Sequence, residues 1–304
     1  MLVNNKDVLD KANKRKYAVG AFNFNNLEFL QGIVAAAEAE KSPAILQTSE
    51  GAIKYAGIEN IIAMVKVAAK NTKVPLTLHL DHGKDLKVIK QCIDLGYTSV
   101  MIDGSHYDFD KNIAVTKKVV KMARRKGISV EAELGVLAGI EDNVSAKENI
   151  FTNPDAAVEF VKKTKVDALA IAIGTSHGAY KFKGQSKLDF NRLKEIKTRL
   201  RIPIVLHGAS GIPAAIVKMA EKYGAKLGKA HGVSDAHIKK AVSLGVNKVN
   251  IDSDLRLSFD AGIRKVLKEK PSEFDPRKII GPARDLITET VRHKMKILKS
   301  SGKG

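Results

Sequence analysis

Short β-like runs alternate with helix-spaced segments eight times along this 304-residue chain, and that alternation restricts the fold more than any other feature. The runs cover residues 18–23, 44–49, 76–81, 99–103, 130–134, 168–174, 204–207 and 248–252. Between them apolar residues recur at helical spacing. Phe29, Ile33 and Ala36 share a face over 28–40, and Ile61, Ile62, Val65 and Ala69 share one over 58–69. Asn153, Pro154 and Asp155 in succession read as a helix start. No Ser-rich, Pro-rich or acidic linker interrupts the series. The pattern argues for one parallel sheet in a single domain over 1–304, and eight units fit a closed (β/α)8 TIM barrel of the α/β class. Helical pieces at about 214–223 and 234–243 enlarge the connection between the seventh and eighth runs. Residues 275–300 form a C-terminal helical extension, helical from about Gly281.

In such barrels chemistry collects at the C-terminal strand ends. Here every end is polar or ionisable: Asn23, Ser49, Asp81-His82, Asp103, Glu133, Ser176-His177, His207 and Asn250 with Asp252. Polar residues scattered at random would not respect strand ends. Three ends share a dipeptide, His82-Gly83, His177-Gly178 and His207-Gly208. A strand fixes such a ring, and the glycine lets the backbone turn close to whatever the ring holds. Three protein ligands with one open position is the catalytic arrangement of zinc. The other histidines lack this context: His231 follows no strand, His237 and His293 lie in amphipathic helices, His106 lies just past the fourth run, and His79 is assigned to the outside of the barrel.

Asp81 adjoins a proposed ligand, which suits proton exchange with a substrate hydroxyl, a hydrogen bond to a ligand imidazole, or a helix cap. Asp103 and Glu133 suit a second or alternative metal position or structural hydrogen bonding. Gly208, Ala209 and Ser210, with Asn250, Ile251, Asp252 and Ser253, follow the last two runs, where barrels frequently bind phosphate through backbone N–H groups and a helix N-terminus. Ser210 and Ser253 as plain helix caps are the alternative. Gly178 and Lys181 are placed to close the same site. Residues 135–152 lack periodicity and read as a loop over the mouth, with 179–187 as a second lid.

The 52 Lys and Arg against 33 Asp and Glu give a net charge of +19. They are spread along the chain as solvated helix faces rather than gathered in a patch, and a positive field speeds arrival of an anionic metabolite. A non-catalytic nucleic-acid binder is the remote alternative, and it leaves eight polar strand ends to chance. One cysteine, Cys92, excludes an internal disulfide and fits a reducing compartment. No run approaches the ~20 apolar residues of a membrane span, and residues 1–17 hold no apolar segment. The expectation is a cytoplasmic protein without membrane or nucleic-acid partners.

Over nearly its whole length the chain resembles the class II, zinc-dependent fructose-bisphosphate aldolases. The resemblance rests on Gly20-Ala21-Phe22-Asn23, Gln47-Thr48-Ser49-Glu50-Gly51, His79-Leu80-Asp81-His82-Gly83, Ser99-Val100-Met101-Ile102-Asp103, Val130-Glu131-Ala132-Glu133-Leu134-Gly135, Gly174-Thr175-Ser176-His177-Gly178 and Leu206-His207-Gly208-Ala209-Ser210. It implies reversible cleavage of fructose 1,6-bisphosphate to dihydroxyacetone phosphate and glyceraldehyde 3-phosphate, in glycolysis and gluconeogenesis. Tagatose 1,6-bisphosphate is the alternative substrate. It implies zinc on His82, His177 and His207, a second or alternative metal position at Asp103 and Glu133, and room for a monovalent cation. Asp81 matches the proton donor at C4, and Glu141 the loop glutamate that handles the carbanion proton. Asn23, Ser49, Gly178, Lys181, Gly208, Ala209, Ser210, Asn250, Ile251, Asp252 and Ser253 match the substrate site. Arg256 matches the arginine reaching the second phosphate, from a neighbouring subunit in relatives, so a homo-oligomer, dimer or tetramer, is implied. Ala209 stands where many relatives have glycine. A Schiff-base mechanism would need a strand-end lysine, and none of the eight ends is one. A zinc hydrolase of the His-x-His type would need histidine on the first run, which has none.

Overall fold

The computed structural model describes residues 1–137, 139–141, 144–146, 150–178, 187–228 and 231–304, the side chains of 140, 141 and 144–146 excepted. Its described strands, in chain order, are β1 (Val19–Asn23), β2 (Ala44–Thr48), β3 (Leu76–Gly83), β4 (Ser99–Ile102), β5 (Ser129–Leu134), β6 (Gly139–Glu141), β7 (Val144–Ala146), β8 (Ala168–Ile171), β9 (Ile204–Leu206) and β10 (Val246–Ile251). Eight of them close a parallel ring in the order β1-β2-β3-β4-β5-β8-β9-β10 and back to β1. The (β/α)8 barrel expected from the alternation is therefore present, with each strand end within a few residues of its expected place. β6 and β7 pair antiparallel outside the ring, so residues 135–152 hold a hairpin where an unpatterned loop was expected. The second lid, 179–187, lies outside the described residues except for Lys187.

Period-two alternation builds the walls. Phe22, Leu46, Leu78, Leu80, Val100 and Ile171 face outward and pack with Phe29, Ile33, Ile61 and Val65 of the surrounding helices. The inward positions divide by height. At the floor Val19, Ala21, Ile45, Ala168, Ala170 and Val205 pack with Val8, Leu9 and Ala12 of the helix Asn5–Arg15. This N-terminal helix plugs the barrel, and each fully buried Val or Leu in it contributes about 1.5–3 kcal/mol. Its Asn5 is buried and accepts a hydrogen bond from Thr77 Oγ1 at 2.8 Å. Above the floor the lumen is polar.

The helix Pro154–Thr164 starts as expected, with Asn153 accepting from Asp155 and Ala156 N–H. The helices Ala214–Lys222 and Asp235–Ser243 fill the enlarged connection before β10. The C-terminal helix begins at Pro276 rather than near Gly281, because Asp275 caps it and Pro276 suits the first turn. It packs against the helices Leu27–Glu40 and Ser253–Glu269, so closely that a Cβ on Gly262 would lie 2.5 Å from Ala283 Cα. Among the described residues no helix is long and apolar enough to cross a membrane.

Lys197 fastens the floor. Its Nζ donates to Asn13 Oδ1 (2.7 Å), Ile202 O (3.0 Å) and Asn247 Oδ1 (3.0 Å), joining the N-terminal helix, the helix Phe190–Arg199 and β10. Burial pushes this amine down to about 8. The unfolded chain, with an amine near the free value of about 10.4, then binds more protons above pH 8, so folding stability rises with pH across that window. Urea denaturation of wild type and Lys197→Met is expected to show the wild type gaining stability relative to the variant from about pH 8 to about pH 10. A pH-independent difference would refute the depressed amine.

Candidate active site

Strict alternation would send Asp81 and His82 to opposite faces of β3. Instead the register against β4 slips between Leu80 and Gly83, and His82 takes a left-handed φ of +48°. Both side chains therefore reach the barrel mouth. The glycines after the histidines serve close approach: a Cβ on Gly83 would lie 2.6 Å from Met101 O, and one on Gly208, at φ +57°, 2.6 Å from the Ser176 backbone.

The three strand-end imidazoles gather around His82. Its ring lies 4.5 Å, centroid to centroid, from His207 and 5.1 Å from His177, edge to face in both cases. His82 Nδ1 faces Asp103 Oδ2 at 3.0 Å, and His82 Nε2 faces His207 Nδ1 at 2.9 Å. Glu133 Oε2 lies 3.7 Å from both His82 Nδ1 and His207 Nδ1. Among the described residues, two groups bring their ligand atoms within 4.8 Å of one another: Asp81, His82 and His207, and His82, Asp103 and Glu133. His82 belongs to both groups, and His177 to neither.

Beneath these rings runs a buried column that analysis of strand ends alone misses. His207 Nε2–H donates to Glu131 Oε1 at 2.7 Å. Lys248 Nζ, with no exposure, donates to Glu131 Oε1 (3.0 Å) and Oε2 (2.8 Å) and to His79 Nε2 (3.3 Å), while His79 Nδ1 meets Ser99 Oγ at 2.9 Å. His79 thus lies inside the barrel, not outside as expected: it is two residues before Asp81 and shares its face. The same step of two leads from Glu133 to Glu131 and from Asn250 to Lys248, so the column was available to a face-by-face reading.

Asp81 is caged by amides. Asn23 Nδ2 (3.0 Å) and Gln47 Nε2 (3.2 Å) donate to its Oδ2, and Asn250 Nδ2 (2.9 Å) donates to its Oδ1. Burial opposes its charge, but His82, His207 and Lys248 outweigh burial and hold it below the ordinary carboxylate range. Asp103 is likewise lowered, burial being overcome by His82 and Ser105. His82 is pushed up to about 10, its burial overcome by Asp81, Asp103 and Glu133. Glu133 goes the other way, up to about 8, through burial and then Asp103. More carboxylate is gathered here than the imidazoles neutralise, so Glu133 keeps a proton that a divalent cation would replace. Imidazole nitrogens with carboxylate oxygens are the donors zinc takes, so the residues fit that metal.

The remaining expected residues surround this centre. Ser49 caps the helix Glu50–Ala56 and, with Asn23, Asp252 and Arg256, lines a small cavity. Arg256 Nε donates to Asp252 Oδ1 at 2.8 Å. Ser210 Oγ accepts from Asp252 N–H at 3.2 Å, tying the loop after β9 to the end of β10. Ala209, Ile251 and Ser253 are buried beside them, and Gly178 turns at φ +80°. Glu141 ends β6 with its side chain outside the described residues, and Lys181 lies outside them altogether.

Fold and donor set together define a (β/α)8 barrel enzyme with a candidate metal centre at its mouth. The family "Fructose-bisphosphate aldolase class-II" matches residues 3–303. Fructose-bisphosphate aldolases of Helicobacter pylori (strain ATCC 700392 / 26695) and Thermus caldophilus are 49% identical over 306 residues and 48% identical over 305, each alignment covering all of both chains. Among solved structures, the YdjI aldolase from Escherichia coli K12 superposes with a TM-score of 0.82 at 32% identity, covering 100% of this chain and 99% of that one. The chain belongs to the class II fructose-bisphosphate aldolases, a family of metal-dependent lyases.

Removing one partner of a buried ion pair strands the other. Glu131→Gln is therefore expected to destabilise the fold by about 3 kcal/mol, and Glu131→Gln/Lys248→Met to recover most of it. A double-mutant cycle by urea denaturation reads this, and additive losses would show that the two charges do not depend on each other.

Proposed function

We propose that this chain catalyses reversible cleavage of fructose 1,6-bisphosphate to dihydroxyacetone phosphate and glyceraldehyde 3-phosphate, with one catalytic zinc ion held by His82, His177 and His207. The observation that carries this reading is the mouth itself, three imidazoles packed together beside a carboxylate oriented by amides. The names of relatives at 42–49% identity support fructose over tagatose bisphosphate.

When bound, zinc supplies a Lewis acid for the substrate ketone oxygen and offsets the charge left as the C3–C4 bond breaks. Asp81 takes the proton of the C4 hydroxyl in cleavage and returns it in condensation. Asn23, Gln47 and Asn250 hold its carboxylate in one orientation, so little reordering accompanies the transfer. Glu141 carries the proton to and from C3. Asp103 and Glu133 offer a second or alternative metal position against His82 Nδ1. Gly178, Lys181, Gly208, Ala209, Ser210, Asn250, Ile251, Asp252 and Ser253 surround one phosphate, and Ser49 and Arg256 the other. The lumen does contain a lysine, but Lys248 spends its protons on both Glu131 oxygens and His79, which disfavours an imine. We further read the chain as one aldolase domain over 1–304, working as a homo-oligomer in cytoplasmic glycolysis and gluconeogenesis, with room for a monovalent cation and no nucleic-acid or membrane partner.

Chelation is expected to abolish cleavage and added zinc to restore it, while borohydride with substrate traps no adduct. A trapped adduct on Lys248 would defeat the metal mechanism. Asp81→Ala is expected to keep its zinc and lose about 10²–10⁴-fold in kcat. Zinc lost together with activity would make Asp81 a ligand instead.

A further inference from the structure

Two buried charges take no part in this chemistry. Asp254, with no exposure, is the second residue of the helix Ser253–Glu269, and Lys294 is buried on the C-terminal helix Pro276–Ile297. Lys294 Nζ lies 3.3 Å from Asp254 Oδ1. The Asp254 carboxylate faces the chain after β9. It accepts Gly211 N–H on both oxygens (3.2 and 3.0 Å) and Ile212 N–H on Oδ1 (2.9 Å). Gly211 and Ile212 directly continue Gly208, Ala209 and Ser210, whose backbone the proposed function assigns to phosphate.

That loop is held in a shape the chain does not favour. Ile212 has a φ of +50°, a left-handed conformation that β-branched residues resist. It persists because the surroundings over-determine it. Val233 N–H binds Ser210 O at 3.0 Å, Ser210 Oγ binds Asp252 N–H, and Asp254 takes the next two N–H groups. Lys294 lies against the loop: a Cβ on Gly211 would be 2.5 Å from its Nζ. Lys294 Nζ also lies 3.4 Å from Asp235 Oδ1 in the helix Asp235–Ser243, and Asp235 binds His293 as well. Buried Asp254 is thus held from two sides, by the Gly211 and Ile212 N–H groups and by the Lys294 ammonium.

We infer that Asp254 and Lys294 are positioning residues for phosphate, the pair fixing Gly211 and Ile212 so that the preceding N–H groups converge on the anion. The C-terminal helix then sets substrate affinity without touching substrate. The inference rests on the phosphate reading of this loop.

The test uses the full-length, zinc-loaded enzyme and inorganic phosphate as a competitive inhibitor of cleavage. Lys294→Met is expected to raise KM and the phosphate Ki about tenfold, with kcat per zinc within about twofold of wild type. Lys294→Arg should restore most of the affinity. A merely structural role would lower the denaturation midpoint and leave KM and Ki at wild-type values, and that result overturns the inference. If Lys294→Met does not fold, Asp254→Asn/Lys294→Met leaves no unpaired buried charge and is read the same way. Asp235→Asn should match wild type, and an equal shift there would trace the effect to helix docking and overturn the role of the Asp254 pair. Wild type that phosphate does not inhibit removes the phosphate reading and this inference together. Inhibited wild type with an unchanged variant removes this inference alone.

Discussion

A single buried ion pair, Glu131 with Lys248, organises the lumen on which the mouth is built. Withdrawing two charges from water costs several kcal/mol per ion, so the pair persists only where every remaining donor and acceptor is engaged. Lys248 gives protons to both Glu131 oxygens and to His79, and Glu131 takes one more from His207. The histidine tautomers follow. His79 accepts from Lys248 on Nε2, which together with burial drives its pKa down to about 3 and keeps the ring neutral. His207 gives its Nε2 proton downward, so Nδ1 is the nitrogen it presents to the mouth. Which nitrogen His207 presents to the mouth is thus decided one layer below it.

The same pair explains why this lumen departs from the packed aliphatic interior usual in such barrels. Only the floor is apolar, and there the N-terminal helix supplies side chains that strands with small inward residues such as Ala21, Ala168 and Ala170 leave room for. That helix was not legible in the sequence, because Lys6, Asp7, Asp10 and Lys11 mask a face of only Val8, Leu9 and Ala12. The ring of eight was legible, since each strand keeps an apolar outward face and ends in a polar residue. Period two puts His79, two residues before Asp81, on the same inner face, so its placement outside ran against the pattern; what departs from alternation is that Asp81 and His82 both reach the mouth. Sequence alone does not show that a bulge has broken the alternation between them. Glu131 and Lys248 lie mid-strand, below the polar ends that mark the mouth, and β6 and β7 are three-residue strands too short to show a period.

An aldolase acting on a bisphosphate faces opposed electrostatic demands within one mouth, since a cation needs negative donors and the substrate needs positive ones. The fold separates them by depth and by chemistry. Asp81, Asp103, Glu131 and Glu133 lie on the inner strand faces, all nearly fully buried. Apart from Lys181 and Arg256, the groups proposed for phosphate are mainly backbone N–H donors on the loops after β9 and β10, which carry partial charge without a counter-ion to desolvate. A net charge of +19 therefore coexists with an acidic centre, because the surplus Lys and Arg lie on outer helix faces where they do not compete for the metal.

Backbone donors bind an anion well only if they converge before it arrives, and a loop of small residues does not hold such a shape unaided. Here the shape is imposed from behind. Asp254 binds the Gly211 and Ile212 N–H groups, Lys294 pairs with Asp254, and the helix bearing Lys294 is fastened in turn by its close crossing at Gly262. The two terminal helices thus act at opposite ends of the barrel. The first closes the floor beneath the buried polar column, and the last braces the rim proposed to bind phosphate. The strands carry the reacting groups, but segments outside the eightfold repeat hold the fold to the tolerances those groups require.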